Sequence, residues 1–194
     1  MGEAAMNLSE RYTYGDYKTW PEDRRWELID GAAWAMSPGP NRRHQGVLTK
    51  LALRFGGFLE GRPCVMYLAP FDVLLPVGNE DDDSVETVVQ PDLVVYCDRS
   101  RLRDYGARGA PDLAVEILSP GTSKRDLNDK YRLYESRGVR EYWVVDPGNR
   151  ALTIFRLGSS GAFGPGEVHV NSGGAASAVL EGLSVDLEDL FRED

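Results

Sequence analysis

Apolar residues recur along this chain with two different periods, and each period predicts a different kind of element. From residue 43 to about residue 59 they return at every third or fourth position, which is typical of an amphipathic helix packed on a sheet. Shorter apolar runs rich in Val, Leu and Tyr predict strands. The runs assigned to the central sheet are 64–68, 71–75, 93–96 and 113–118.

Turn and capping residues predict where the other elements begin and end. Asp30-Gly31 separates the apolar runs 26–29 and 32–36, and this pair favours the tight two-residue turn of a hairpin. The remaining predicted elements are a brief helix at 13–20 opened by a Thr13/Asp16 capping box, a helix from Ser123 to about Arg137 closed by Gly138, a hairpin of 141–145 and 151–157, one short strand within 158–174, a strand near 178–180 and a helical turn near 187–191.

The order of these elements predicts an α/β (α+β) fold in which a central mixed sheet is flanked by helices, with an N-terminal hairpin. A length of 194 residues favours a single domain over 1–194, with residues 1–11 as a flexible leader. No apolar run approaches the roughly 20 residues that cross a bilayer, and the first ten residues lack the layout of a secretory signal. We therefore expect a cytoplasmic protein that does not contact membranes.

The two cysteines, Cys64 and Cys97, each lie inside an apolar segment. In a reducing compartment the usual interpretation is two buried free thiols, with a disulfide or a metal role as the alternative.

The formal net charge of −9 argues against a nucleic-acid enzyme, because phosphate backbones are held chiefly by Lys and Arg. The excess is local, since ten acids but only one base lie in the segments 80–86 and 186–194. The rest of the chain holds 21 acids and 21 bases. Basic residues also cluster at Arg42-Arg43, along 99–103 and at Lys124-Arg125, so net charge alone decides little.

Three chemically distinctive residues follow one another through the predicted sheet and the next helix. Glu116 is a carboxylate inside an otherwise apolar strand, where burial is costly unless the group is paired or binds a metal. Asp92 opens the preceding apolar strand, so the two carboxylates approach each other if the strands are neighbours. Lys130 lies at the edge of the apolar face of the helix after Glu116, within reach of the sheet.

Each of these residues also has a simpler explanation when it is taken alone. Asp92 fits a turn residue, Glu116 a paired core carboxylate, and Lys130 a solvated partner of Asp126. It is harder to explain all three as coincidences when they occur together in this order, namely an acid before a strand, a Glu within the next strand and a Lys on the following helix. The chain carries no nucleotide-binding Gly-rich loop, serine-nucleophile elbow or His/Cys pair at zinc spacing.

The combined motifs resemble the Uma2 family, within the PD-(D/E)XK nuclease superfamily. The matching residues are Pro91-Asp92, Glu116-Ile117-Leu118-Ser119-Pro120, Asp126, Lys130, Tyr142-Trp143-Val144-Val145-Asp146-Pro147, Glu27-Leu28-Ile29-Asp30-Gly31, Ser37-Pro38 and His44. The resemblance spans residues 12 to about 190. One departure from the superfamily is that its usual Glu-x-Lys would place the lysine at position 118, where this chain has Leu118. The Uma2 pattern takes the lysine from the following helix.

The resemblance implies a restriction-endonuclease-like core and a nuclease that uses Mg²⁺ or Mn²⁺, with DNA as the substrate, endonuclease activity and a homodimer. It implies that Asp92 and Glu116 bind the metal, that Glu27 is a third acidic residue near it, and that Lys130 is catalytic. We expect Asp126 to position Lys130. From the residues alone, Glu27 fits an exposed strand acid equally well.

Candidate substrate contacts are Arg43, His44 and Lys124, because cations near a helix N-terminus suit phosphate. Two other functional classes stay open. One is a nuclease-fold module that binds nucleic acid or regulates without cutting, and the other is a structural domain in which Glu116 and Lys130 form a buried ion pair.

Overall fold

The computed structural model describes residues 10–21, 24–36, 41–119 and 126–193, and of residues 126 and 127 only the backbone. Residues 1–9 of the predicted leader and the segment 120–125, which holds Lys124 and the predicted helix start at Ser123, lie outside these ranges. The helices are α1 (Tyr14–Tyr17), α2 (Arg42–Leu59), α3 (Tyr131–Arg137, preceded by a π-helical turn at Asp126–Lys130) and α4 (Leu187–Leu190). None of these helices combines the length and apolar character that crossing a bilayer requires.

The strands are short, and several have only two or three residues. They are β1 (Trp26–Ile29), β2 (Ala32–Ala35), β3 (Val65–Leu68), β4 (Asp72–Leu74), β5 (Val88–Val89), β6 (Leu93–Tyr96), β7 (Leu102–Arg103), β8 (Gly106–Arg108), β9 (Leu113–Ile117), β10 (Glu141–Asp146), β11 (Ala151–Arg156), β12 (Glu167–Val170), β13 (Gly174–Ala176) and β14 (Ser184–Asp186). Single turns of 3₁₀ helix lie at Asp82–Ser84 and Arg99–Arg101.

The strands form two six-stranded sheets and a small β13–β14 pair. The first sheet has the order β2-β1-β5-β4-β8-β7, and the second has the order β12-β11-β10-β9-β6-β3. Both are mixed, because β4 and β8 run parallel in the first sheet and β9 and β10 run parallel in the second. The predicted α+β class is confirmed.

The prediction of one central sheet needs a correction, because β4 does not join β3, β6 and β9. It pairs instead with β5 and β8 in the first sheet. Strands of two or three residues are too short to show a readable period, so the first sheet beyond the N-terminal hairpin could not be predicted.

Strand β9 separates two parts of the core. Leu113, Val115 and Ile117 pack on one side with the apolar face of α2. Ala114 lies on the other side, in a cluster that includes α3 residues and strands β4 and β5. The alternation predicted for this strand therefore holds, and it turns Glu116 toward α3 and the first sheet.

Local signals explain the confirmed elements. Asp30 and Gly31 have φ angles of 47° and 78°, the left-handed values that a tight hairpin turn between β1 and β2 requires. Thr13 and Asp16 form both hydrogen bonds of the capping box at the start of α1, which ends at Tyr17, earlier than predicted. Gly138 ends α3 with φ 80°.

Two expectations for local structure are wrong. Cys64 and Cys97 are joined in a disulfide rather than free. They lie one step beyond the Val65–Tyr96 pair of β3 and β6, so the register of these strands sets the cysteines opposite each other. The segment 178–180 is not a strand but part of the turn between β13 and β14, where the hydroxyl of Ser177 accepts from the amide of Leu180.

We predict that Gly106→Ala destabilises the fold. Gly106 pairs with Asp72 across the parallel β4–β8 contact, has φ 149°, and a Cβ there would lie 2.1 Å from the Asp72 carbonyl oxygen. We expect a loss of about 2 kcal/mol or more in urea denaturation, because backbone must shift on both strands. The matched control is Gly57→Ala in α2, where nothing lies within 4 Å and stability should rise by up to about 1 kcal/mol. Equal stability of Gly106→Ala and wild type would contradict the close approach.

Candidate active site

Lys130 lies at the centre of a buried polar cluster. Its side chain comes from the last residue of the turn before α3 and is only 6% exposed. The Nζ donates to Oε1 of Glu116 at 2.8 Å and to Oε1 of Glu27 at 3.0 Å. A buried ammonium is tolerable only when it is paired, so these two carboxylates account for its position.

The two carboxylates come from different sheets. Glu27 lies on β1 in the first sheet, and Glu116 lies on β9 in the second. Both are almost fully buried. The backbone amide of Gln90, in the link between β5 and β6, also donates to Oε1 of Glu27 at 2.9 Å. Lys130 therefore links the first sheet to the second through its contacts with these two carboxylates.

Asp92 reaches the same region from the start of β6. Strands β6 and β9 are antiparallel neighbours with Leu93 opposite Val115, and continuing this register by one residue sets Asp92 opposite Glu116. Oδ2 of Asp92 accepts from the amide of Ile117 at 2.7 Å. Its side chain is 19% exposed, more than those of Glu27 and Glu116. The Asp92 carboxylate thus lies beside the peptide that follows Glu116.

His44 and Arg43 start the same helix but have different surroundings. Nε2 of His44 lies 3.2 Å from Oδ2 of Asp92, and the ring is buried. Arg43 is exposed, pairs with Glu193 at 2.8 Å, and lines a cleft of about 290 Å³ between α2 and the C-terminal turn. His44 therefore contacts the cluster, whereas the Arg43 side chain contacts Glu193 near the C-terminal turn. The other predicted contacts, Lys124 and the side chain of Asp126, are outside the described part of the chain.

The chemistry of the cluster fits a hard divalent cation held by few protein ligands. Within residues 10–21, 24–36, 41–119 and 126–193, no three His, Cys, Asp or Glu side chains come close enough together to hold a metal ion. Three carboxylates and one ammonium nevertheless give Glu27, Asp92, Glu116 and Lys130 a formal charge of −2. Mg²⁺ takes one or two carboxylates and keeps several waters, which suits Asp92 and Glu116. Glu27, predicted as a third acidic residue near the metal, directs Oε1 to Lys130.

Comparison with known proteins shows which family the chain belongs to. The model of the family Uma2, described as "Putative restriction endonuclease", matches residues 14–188, nearly the whole chain. The chain belongs to the Uma2 family.

Two relatives extend the comparison. The uncharacterized protein slr1290 of Synechocystis sp. is 26% identical over 149 residues, which cover 75% of this chain and 74% of that protein. A crystal structure from Anabaena variabilis, described as "a putative nuclease belonging to DUF820", superposes with a TM-score of 0.73. It is 19% identical, and the match covers 92% of this chain and 97% of that one. At this identity the likeness shows a shared fold.

Tyr134 is a member of this buried cluster that the sequence did not reveal. It lies on α3, is fully buried, and its hydroxyl donates to Oε1 of Glu116 at 2.7 Å. Burial raises the pKa of Tyr134 well above its usual value, and the charges of Glu116 and Glu27 raise it further. The hydroxyl therefore stays protonated and remains a donor. Its spacing of four residues from Lys130 sets the two side chains on one helix face, but this spacing does not by itself point to Glu116.

Gln90 is a second residue missed by sequence reasoning. Its side-chain Nε2 donates to Asp72 at 2.7 Å and to the hydroxyl of Tyr17 at 3.1 Å, and its Oε1 accepts from Arg25 at 2.9 Å. Tyr17 also donates to Asp72 at 3.0 Å. This network fixes the backbone amide of Gln90, which holds Glu27, so it supports the cluster from behind. No sequence pattern in the short link between β5 and β6 distinguishes Gln90 from its neighbours.

We predict that Asp72→Asn stabilises the protein at neutral pH. Burial raises the pKa of Asp72 above its usual value, although its hydrogen bonds from Gln90 and Tyr17 lower it. The folded state then binds the proton more tightly than the unfolded state, so ionised Asp72 lowers stability. This cost is absent below the unfolded pKa of about 3.9 and grows as the pH rises through the folded pKa.

Urea denaturation of both proteins from pH 4 to pH 7.5 tests this prediction. The advantage of Asp72→Asn should grow with pH, because asparagine can still accept both hydrogen bonds through its carbonyl oxygen. Asp104→Asn, at an exposed acid, is the control and should show a much smaller dependence. A variant that is less stable than wild type at pH 7.5 would show that Asp72 is needed in its charged form.

Proposed function

We propose that this protein is a metal-dependent nuclease that hydrolyses phosphodiester bonds, with DNA as its substrate and endonuclease activity. The observation that carries the proposal is the buried cluster in which Lys130 lies between Glu116 and Glu27, next to Asp92. Its formal charge of −2 is matched by one divalent cation. The family description and the fold of the Anabaena protein support the same reaction class.

Asp92 and Glu116 are the proposed ligands of Mg²⁺ or Mn²⁺. When bound, such an ion supplies a water of lowered pKa and polarises a phosphoryl oxygen. The oxygens of these two carboxylates are the hard donors that such ions prefer. Asp92 is the more exposed of the pair, so it marks the side from which substrate approaches.

Lys130 is the proposed catalytic cation. Its compact ammonium lies 2.8 Å from Glu116, where it can orient a water or stabilise charge that grows on the phosphate. Glu27 holds that ammonium in place from the opposite side. Following the family resemblance, we assign Asp126 the task of positioning Lys130.

Substrate contacts are proposed at the start of α2 and in the segment before α3. The N-terminus of an 18-residue helix favours phosphate, and Arg43 lies there on the exposed side. His44 would join the bound phosphate to Asp92, and Lys124 is the third proposed contact. A single domain over 1–194, a homodimer that cuts two strands and a cytoplasmic location complete the proposal.

A second function is favoured by one observation. Lys130 forms buried ion pairs with both Glu116 and Glu27, and a nuclease-fold domain that does not cut could retain them for structural reasons alone. The two proposals differ in whether cleavage depends on a divalent cation and on Lys130.

We predict that Lys130→Ala reduces cleavage of plasmid and single-stranded DNA by about 100-fold or more, because the cation that stabilises phosphate charge is lost. Initial rates with Mg²⁺ and with Mn²⁺, each checked against EDTA, measure this effect. Metal binding should persist, since Asp92 and Glu116 remain. Lys18→Ala, at an exposed lysine paired with Asp83, is the control and should cut like wild type.

Removing Lys130 leaves two buried carboxylates without their ammonium, which can cost about 3–5 kcal/mol of stability. Lys130→Gln keeps a hydrogen-bond donor and serves as the second variant if Lys130→Ala unfolds. If a folded Lys130 variant cuts as fast as wild type, the lysine assignment is wrong. Wild type that cuts neither substrate with either ion would favour the non-cutting module.

A further inference from the structure

Tyr134 directs its only polar atom at the proposed metal ligand Glu116. The side chain is 0% exposed and its ring packs edge-on against Tyr142, with centroids 5.0 Å apart. Its hydroxyl lies 2.7 Å from Oε1 of Glu116. Packing on this scale holds the ring in one rotamer, so the position of the hydroxyl is fixed by the core.

Oε1 of Glu116 receives two hydrogen bonds from the same helical segment. Lys130 and Tyr134 are four residues apart, so they lie on one face and approach the same oxygen at 2.8 and 2.7 Å. A carboxylate oxygen has two lone pairs, and these two donors occupy both. Both donors therefore hold Oε1 on the α3 side of the carboxylate.

Lys130 alone would not fix this orientation. Its ammonium is shared with Glu27 at 3.0 Å, and a flexible lysine side chain can follow either carboxylate. The last torsion of a glutamate is broad, so a donor on a rigid side chain restricts the carboxylate more than a shared donor on a flexible one. The Tyr134 hydroxyl has no such freedom, and it holds Oε1 toward α3 while Lys130 serves both acids.

We propose that Tyr134 is a positioning residue of the proposed nuclease site, which fixes the Glu116 carboxylate in the orientation that keeps Oε1 with Lys130 while Glu116 holds the divalent cation. This inference rests on the proposed function for its effect on catalysis. The hydrogen bond that carries it does not depend on that function, so the two can be tested separately.

The experiment compares Tyr134→Phe with Tyr96→Phe. Both tyrosines are fully buried in the same cluster and each donates one hydrogen bond, but Tyr96 donates to the carbonyl of Gly109 at 3.1 Å. Both variants lose one buried hydroxyl, so we expect a similar loss of thermal stability. Only Tyr134→Phe should raise the Mn²⁺ concentration needed for half-maximal cleavage, by about 10-fold, as is typical when a group that orients a metal ligand is removed.

Two further readouts separate positioning from folding. In Tyr134→Phe, kcat for DNA cleavage should fall about 10-fold while KM for DNA stays within about twofold of wild type. The side-chain carboxyl ¹³C signal of Glu116, assigned with Glu116→Gln, should move in metal-free Tyr134→Phe and stay in place in Tyr96→Phe.

The outcomes are distinct. An unmoved Glu116 signal in Tyr134→Phe, or equal changes of the Mn²⁺ requirement in both variants, would overturn the assignment of Tyr134. A wild type that neither binds Mn²⁺ nor cuts DNA would remove the proposed function. In that protein a shifted Glu116 signal would still support Tyr134 as the residue that orients this carboxylate.

Discussion

The structure depends on one lysine ammonium that lies between two carboxylates from different sheets. Lys130 bonds to Glu27 on β1 and to Glu116 on β9, at distances of 3.0 and 2.8 Å. Without it, two nearly buried acids would lose the ammonium that pairs with both of them, and breaking a buried ion pair in this way is costly. The need to pair these charges explains why α3 packs where the two sheets meet.

The same cluster combines stability with potential chemistry. Tyr134 and the amide of Gln90 supply fixed donors, so each acid is oriented by a group that does not titrate near neutral pH. Asp92 lies beside Glu116 and is partly exposed, which leaves one side of the cluster accessible. Rigid support behind one buried and one partly exposed acid is compatible with a metal-assisted hydrolytic site.

Many elements of the fold and part of the candidate site could be predicted from the sequence, because these features depend on local periodicity. The alternation of β9 turned Glu116 away from its apolar neighbours, and helical spacing brought Lys130 back toward the sheet. Features that depend on pairing between distant segments could not be predicted. The register of β3 against β6 decides that Cys64 meets Cys97, and no local signal assigns Gln90 to Glu27 or Tyr134 to Glu116.

The central claim is that Asp92 and Glu116 share one divalent cation, and calorimetric titration with Mn²⁺ tests it most directly. Wild type should bind about one ion per chain, since Mg²⁺-type sites use one or two carboxylates. Glu116→Ala should abolish that heat, while Glu188→Ala, at an exposed acid in α4, should leave it unchanged. An absence of heat with wild type, or undiminished heat with Glu116→Ala, would contradict the account.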